Sequence, residues 1–150
     1  MTTQLQVEIN KVDVEKIRPL RHAELRKGQD FSTSSYLKDY AESTFHMACV
    51  LDEKAVACAT FYPEKSTKIK SQDAYRLRGM ATDFKFQRKG YASDLMVESF
   101  KELKKRKCDM VWCNARLVAV DFYKSVGFKI IGELFDIAGI GPHYYMYKEL

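Results

Sequence analysis

The sequence predicts an α/β fold built on a mixed sheet, and three observations carry that expectation. Runs of strand length, among them Phe45 to Leu51 and Ala55 to Tyr62, are bounded by polar residues or by Pro and Gly. Two stretches, Ala92 to Arg106 and Val118 to Val126, space their apolar residues as amphipathic helices do. Along the chain the order is a hairpin region, then strand–helix–strand–helix–strand–strand, the alternation of an α/β architecture. With 150 residues and no repeat, low-complexity tract or Pro/Gly-rich linker, one domain over residues 1–150 is expected.

The elements follow in order. Gln6 to Asn10 reads as a first strand. Val14 to about Lys27 reads as a helix interrupted at Pro19, with Gly28 as its stop. Residues 29–35 are loop-like, and a short helix is read over Tyr36 to Glu42. The two runs at Phe45–Leu51 and Ala55–Tyr62 are joined by Asp52-Glu53-Lys54, which makes a hairpin ended by Pro63. After a polar connection, Ala74 to Phe84 is the next strand, and Gly79 within it signals a bulge or a close approach. Ala92, Leu95, Met96, Phe100 and Leu103 form one buried stripe of a helix. Met110 to Cys113 is a short buried strand. Val118, Ala119, Phe122 and Val126 form the stripe of a second helix, and Gly127-Phe128 gives it a Schellman-type ending. Phe128 to Phe135 and His143 to Lys148 are the last strands, joined by Gly139-Ile140-Gly141-Pro142.

Composition narrows the function classes. No apolar run approaches the ~20 residues of a membrane helix, and Met-Thr-Thr-Gln-Leu-Gln-Val-Glu has neither the basic start nor the apolar core of a signal peptide. A cytoplasmic location and no membrane partner are therefore expected. Cys49, Cys58, Cys108 and Cys113 form no Cys-x-x-Cys pair and have no His at ligand spacing, so they read as reduced and structural, with no metal. The net charge of +5 is concentrated in Lys101, Lys104, Lys105, Arg106 and Lys107. These residues suit a helix C-terminus, where cations oppose the macrodipole. A nucleic-acid patch would need interleaved aromatics, which are missing, so no nucleic-acid partner is expected. A positive field also favours an anionic cofactor.

The segment that carries chemistry is Gln87-Arg88-Lys89-Gly90-Tyr91-Ala92, between an expected strand and an expected helix. The first amides of a helix lack internal partners and, with the dipole, make an anion site. Gly90 lets the backbone come close to a phosphate, Ala92 keeps the first turn small, and Arg88 and Lys89 add charge at the rim. A basic turn with a glycine for tightness is the plain structural alternative. The segment lacks Gly-x-Gly-x-x-Gly with its acidic ribose partner, and it lacks the Gly-Lys-Ser/Thr of a Walker loop. A pyrophosphate coenzyme without those marks points to coenzyme A.

At this point the sequence resembles the GNAT superfamily of acyl-CoA-dependent N-acetyltransferases. Gln87, Gly90 and Ala92 match the family's Gln/Arg-x-x-Gly-x-Gly/Ala loop. Leu77-Arg78-Gly79-Met80-Ala81-Thr82-Asp83 resembles its splayed fourth strand, and Ala119-Val120-Asp121-Phe122-Tyr123-Lys124-Ser125-Val126-Gly127-Phe128 resembles its Ala-x-x-Phe-Tyr-x-x-x-Gly-Phe helix and turn. Residues 135–146 look like one bacterial-type subgroup of the family. One departure stands out: the Asn usually found three residues before the helix Ala is Arg116 here, and Asn114 is the nearest Asn.

The resemblance implies a GNAT-like mixed, mostly antiparallel central sheet flanked by helices. It implies acetyl-CoA as co-substrate, held by Met80, Ala81, Thr82, Gln87, Arg88, Lys89, Gly90, Tyr91, Ala92, Asn114 and Phe122, with no metal. It implies direct transfer to a primary amine, small-molecule or peptide, with a backbone N–H of Met80–Thr82 on the thioester oxygen. Tyr123 is then the general acid for the departing thiolate. Glu133, Asp136, His143 or a water chain is the base, histidine being the residue type suited to proton transfer near neutral pH. A homodimer is a family expectation. Three alternatives stay in view: a protein amine as acceptor, a non-catalytic acyl-CoA-binding module, and Cys113 as an acyl nucleophile. Arg76 and Arg78 either grip an acidic group on the acceptor or are exposed strand cations, and Arg21 and His22 are open in the same way.

Overall fold

The computed structural model describes residues 7–150. Gln6, where the first strand was expected to begin, and the rest of the N-terminal stretch Met1–Gln6 lie outside the described residues. The elements are β1 (Glu8–Val12), α1 (Val14–Leu25), β2 (Phe45–Leu51), β3 (Lys54–Pro63), β4 (Ala74–Thr82), α2 (Tyr91–Lys105), β5 (Met110–Arg116), α3 (Val120–Ser125), β6 (Lys129–Ile137) and β7 (Gly141–Glu149). The strands form one sheet in the order β1-β2-β3-β4-β5-β7-β6. β1–β2, β2–β3, β5–β7 and β6–β7 pair antiparallel. β4 and β5 pair parallel, with Ala74 opposite Met110 and Arg76 opposite Trp112. A parallel pair needs a crossover, and α2 supplies it. The mixed, mostly antiparallel sheet expected from the sequence is the one observed.

The chain divides into two compact units. The first holds the described residues up to Tyr62 together with Gly79–Ser99. Its core packs Val14, Ile17 and Leu20 of α1 on Ala48, Cys58 and Ala81 of the strands. Small strand residues leave room for a helix to lie close. Pro19 does not interrupt α1, contrary to the sequence expectation. The proline is exposed, and the buried Ile17 and Leu20 on either side of it hold the helix through the missing hydrogen bond.

The expected helix over Tyr36–Glu42 is a series of turns, and a 3₁₀ turn forms instead at Phe31–Ser34. Side chains compete with the helical ladder at both places. Asp30 accepts the Ser32 amide at 2.9 Å, and Asp39 accepts the Tyr36 amide at 2.8 Å. The hairpin is tighter than the sequence suggested. Asp52 and Glu53, at φ 50° and 65°, are the two central residues, the left-handed pair of a type I′ turn. β4 also stops earlier, at Thr82. Asp83 accepts the Lys85 amide at 2.9 Å, and Phe84–Phe86 becomes a 3₁₀ turn.

The second unit holds Pro63–Arg78 and Phe100–Leu150. One of its clusters joins Ala74, Met110, Trp112 and Tyr145. The Trp112 and Tyr145 rings stack at 5.0 Å, and the connection after β3 is pinned to them: Trp112 Nε1 donates to the Glu64 carbonyl at 2.9 Å and the Tyr145 hydroxyl donates to Ser66. α3 starts later than expected. Leu117–Ala119 is a 3₁₀ turn, Val118 is 93% exposed, and the buried α3 residues are Val120 and Tyr123. Val118 therefore leaves the predicted stripe, because a helix beginning at Val120 presents a different face. The ending is as the sequence predicts. Phe128 N–H donates to Tyr123 C=O at 2.9 Å and Gly127 N–H to Lys124 C=O at 3.0 Å, the paired bonds of a Schellman motif.

Candidate functional site

In the first unit the site begins at the end of β4. Gly79 has φ +64°, and a Cβ added there would lie 3.0 Å from Arg21 Nε and 3.0 Å from Tyr36 Cε2. The close approach that Gly79 signals is thus made by the protein's own side chains. Beyond it, the main chain alternates. Cys58 Sγ donates to the Gly79 carbonyl at 3.4 Å, the Ala81 amide bonds Cys58, and Asp83 N–H donates to the β3 carbonyl of Val56 at 2.8 Å. Residues 79, 81 and 83 therefore face β3, and strand alternation turns the main-chain groups of Met80 and Thr82 to the opposite edge. The Thr82 carbonyl accepts Gln87 Nε2 at 3.4 Å, which ties the strand end to the start of the loop.

Behind Gly79 lies a buried polar network that sequence reasoning missed. Arg21 is fully buried and makes two bonds to the Asp39 carboxylate, at 2.8 and 3.0 Å. It also donates to the Ser34 carbonyl at 3.0 Å and to Thr60 Oγ1 at 2.5 Å, and it lies 4.0 Å over the Tyr36 ring. The Asp39 carbonyl can only accept, so His46 donates to it from Nε2–H at 3.0 Å, and the neutral ring's Nδ1 accepts the Thr60 hydroxyl at 2.8 Å. Burial pushes the His46 ring below its ordinary range, and the Arg21 charge adds to that. Arg21, ambiguous in the sequence, is a buried support for the segment at 31–39 and for β4. The residues that hold it are scattered over the chain and follow no spacing rule.

The phosphate loop follows. Gln87, Arg88, Lys89 and Gly90 are exposed. Gly90 has φ +84°, and a Cβ there would meet nothing within 4 Å. Arg88 is also left-handed, at φ 62°. α2 begins at Tyr91, and the Asp94 amide closes onto the Gly90 carbonyl at 3.0 Å. The amides of Tyr91, Ala92 and Ser93 precede that bond, the position of an anion site. Cys49 Sγ donates to the Tyr91 carbonyl at 3.4 Å and anchors the helix start on β2. Lys89 Nζ lies 5.6 Å from the Phe86 ring.

In the second unit Tyr123 is 6% exposed. Its ring lies 5.2 Å from Phe128 and 5.4 Å from Phe122. Burial pushes the phenol well above its ordinary range. Asn114 stands opposite Tyr145 and Arg116 opposite His143 in the β5–β7 register. His143 is buried, bonded through Nδ1 to the Gly141 carbonyl at 2.8 Å, and stacked 6.0 Å from Phe135. A carbonyl accepts only from an N–H, so Nδ1 carries a proton. Glu133 and Asp136 are exposed on β6.

Arg76 pairs with Glu64 at 3.2 Å and lies 4.9 Å over Trp112, so it is not an exposed strand cation. All four cysteines are buried and unbridged. Burial pushes Cys49 and Cys58 up to about 12 and Cys113 further still, which keeps them as thiols and speaks against Cys113 as a nucleophile. Among the described residues there is no group of three or more His, Cys, Asp or Glu that could hold a metal, and no helix long and apolar enough to cross a membrane.

Comparison with known proteins supplies the rest. The model of the acetyltransferase (GNAT) family matches residues 14–128. A protein of Bacillus subtilis strain 168, described as the uncharacterized N-acetyltransferase YitI, is 36% identical over 144 residues, 96% of this chain and 97% of that one. An aminoglycoside 6'-N-acetyltransferase complexed with coenzyme A superimposes with a TM-score of 0.77 at 13% identity, over 95% of this chain and 96% of its own. A GNAT family acetyltransferase from Elizabethkingia anophelis with acetyl-CoA bound gives 0.69 at 14% identity, over 96% and 98%. At such identities the structural likeness speaks for the fold.

Proposed function

The chain belongs to the GNAT acetyltransferase family, and from that premise we propose that it moves an acetyl group from acetyl-CoA to a primary amine by direct attack within a ternary complex. The observation that carries this reading is the mouth of α2: an exposed, left-handed Gly90 with open space at its Cβ position, next to Arg88 and Lys89. A glycine kept where no part of the protein fills the room is what close passage of a pyrophosphate needs.

In this reading the amides of Tyr91 and Ala92 bind the pyrophosphate, with Gln87, Arg88 and Lys89 at the rim. Met80 and Thr82, on the edge of β4 that faces away from β3, offer main-chain groups to the pantetheine arm and an N–H to the thioester oxygen. Charge grows on that oxygen as the amine attacks, so a fixed donor there lowers the barrier. Asn114 and Phe122 complete the coenzyme contacts.

Tyr123 gives its proton to the departing thiolate. Its raised pKa keeps it protonated at neutral pH, as an acid must be. His143 Nε2 takes the proton that an alkyl ammonium, with a pKa near ~10.4, has to lose before it attacks. The acceptor is a small-molecule or peptide amine.

The test has two stages. Acetyl-CoA should raise the melting temperature progressively with concentration, by the equivalent of about 2.7 kcal/mol at a hundred times Kd. Coenzyme A release is then measured against a panel of small amines and peptide amines. Stabilisation without release from any amine would leave a non-catalytic acyl-CoA-binding module. No stabilisation at all would remove the coenzyme from the account.

A further inference from the structure

We infer that Tyr36, backed by Arg21, and Cys58 are positioning residues for the thioester donor: they brace the two ends of the Gly79–Met80 peptide and so fix the direction of the Met80 N–H. This rests on the reading that a main-chain N–H just after Gly79 takes the thioester oxygen. One peptide plane carries both the Gly79 carbonyl and the Met80 N–H. That peptide is trans, so the two groups point in opposite directions. The Gly79 carbonyl accepts Cys58 Sγ of β3 at 3.4 Å. The Met80 N–H is therefore turned away from β3. Burial keeps Cys58 protonated, so the S–H that makes this bond is present at neutral pH.

A glycine is by itself a loose mount for such a donor. With no Cβ it moves readily between backbone conformations, and each rotation about its bonds swings the next N–H. At Gly79 the restraint comes from outside. A Cβ there would lie 3.0 Å from Arg21 Nε, 3.0 Å from Tyr36 Cε2 and 3.5 Å from the Tyr36 hydroxyl oxygen. The Tyr36 ring is 8% exposed and has little room to retreat. Arg21 Cζ lies 4.0 Å over it, its own N–H donates to Asp39 at 2.8 Å, and the same carboxylate holds Arg21 through two bonds.

Packing Arg21 at this place carries a penalty. The residue is fully buried, and its Nε, beside Gly79, has no hydrogen-bond partner among the described residues. A buried N–H without an acceptor is destabilising, and each case asks for a reason. Together with the left-handed backbone at φ +64° it marks a spot where the surroundings over-determine the local geometry. The consequence is a donor already aimed before charge grows on the thioester oxygen, the condition under which a hydrogen bond lowers a barrier.

The experiment reads the thioester carbonyl directly. Isotope-edited infrared spectra are taken of carbonyl-labelled acetyl-CoA bound, without acceptor, to the wild type, Tyr36→Leu, Tyr36→Phe and Cys58→Ala. The wild-type band should lie below that of free acetyl-CoA, as a carbonyl held by a fixed donor does. In Tyr36→Leu the band should move up. With the panel amine that gives the largest coenzyme A release, kcat should fall about tenfold while KM for acetyl-CoA stays unchanged. Tyr36→Phe keeps the ring on Gly79 and should recover most of both losses. Cys58→Ala frees the carbonyl end of the same peptide, so its band should move the same way by less, and it carries the test if Tyr36→Leu does not fold. A wild-type band no lower than that of free acetyl-CoA would overturn the main-chain donor and this inference with it. If the wild-type band is lowered, the inference alone falls when neither Tyr36→Leu nor Cys58→Ala moves it, when kcat drops with the band in place, or when Tyr36→Phe loses as much as Tyr36→Leu.

Discussion

Gly79 and Gly90 share a left-handed backbone, at φ +64° and +84°, but not an environment. At Gly79 an added Cβ would press on Arg21 and Tyr36, each at 3.0 Å, whereas at Gly90 it would meet nothing within 4 Å. The first space is filled by the fold: the Arg21 guanidinium lies on the Tyr36 ring and is held by Asp39, Ser34 and Thr60. The second is left clear, at the start of a helix whose leading amides precede its ladder. One residue type thus serves two ends, and what surrounds it tells them apart. A glycine that is crowded from within keeps a strand in place, and one that is open keeps a place for something else.

The contrast can be broken at its support first. Asp39→Ala leaves Arg21 buried without its counter-ion, which should cost about 3–5 kcal/mol of stability, read as a lower urea midpoint. A near-neutral result would mean that the ion pair does not hold the crowding at Gly79. The glycines themselves give the next test. Gly79→Ala combines the left-handed penalty of roughly 1–2 kcal/mol with contact at 3.0 Å. Gly90→Ala should carry the backbone penalty alone. The order should reverse for acetyl-CoA, with Kd by calorimetry rising more in Gly90→Ala than in Gly79→Ala. Equal stability losses with equal affinities would erase the distinction.

The same contrast explains what the sequence could show. The open side was legible because it is local: Gln87, Gly90 and Ala92 lie within one short stretch, and a backbone-made site needs only the right residues in a row. The Gly127–Phe128 ending and the β2–β3 hairpin were legible for the same reason. The crowded side was not, since Arg21, Asp39, His46 and Thr60 are distant in sequence and meet only in the folded chain. Gly79 announced a close approach without saying by what. Local rules also failed where a distant residue outbid them. Asp39 diverted the Tyr36 amide and undid the helix read at 36–42, and core packing on both sides carried α1 through Pro19.

The smallest expected effect is a pH dependence confined to the crowded side. His46 sits between Thr60 and Asp39 with its proton on Nε2, and a second proton on Nδ1 would face the Thr60 hydroxyl near the Arg21 charge. Burial lowers its pKa below the ordinary value of 6.5, and Arg21 acts in the same direction, while the bond to the Asp39 backbone and the charges of Asp39 and Glu15 oppose it. The folded state thus prefers the neutral ring more than the unfolded chain does. That preference contributes its full stability above the unfolded pKa. It is lost as pH falls below about 6.5 towards the lowered folded value, with a slope of at most about 1.4 kcal/mol per pH unit. Urea midpoints taken from pH 7.5 downward should decline more steeply in the wild type than in His46→Gln, whose amide can still donate to the Asp39 carbonyl and accept from Thr60. Parallel declines in the two proteins would show that the ring behind Gly79 does not titrate with folding, and that the acid sensitivity of the chain lies elsewhere.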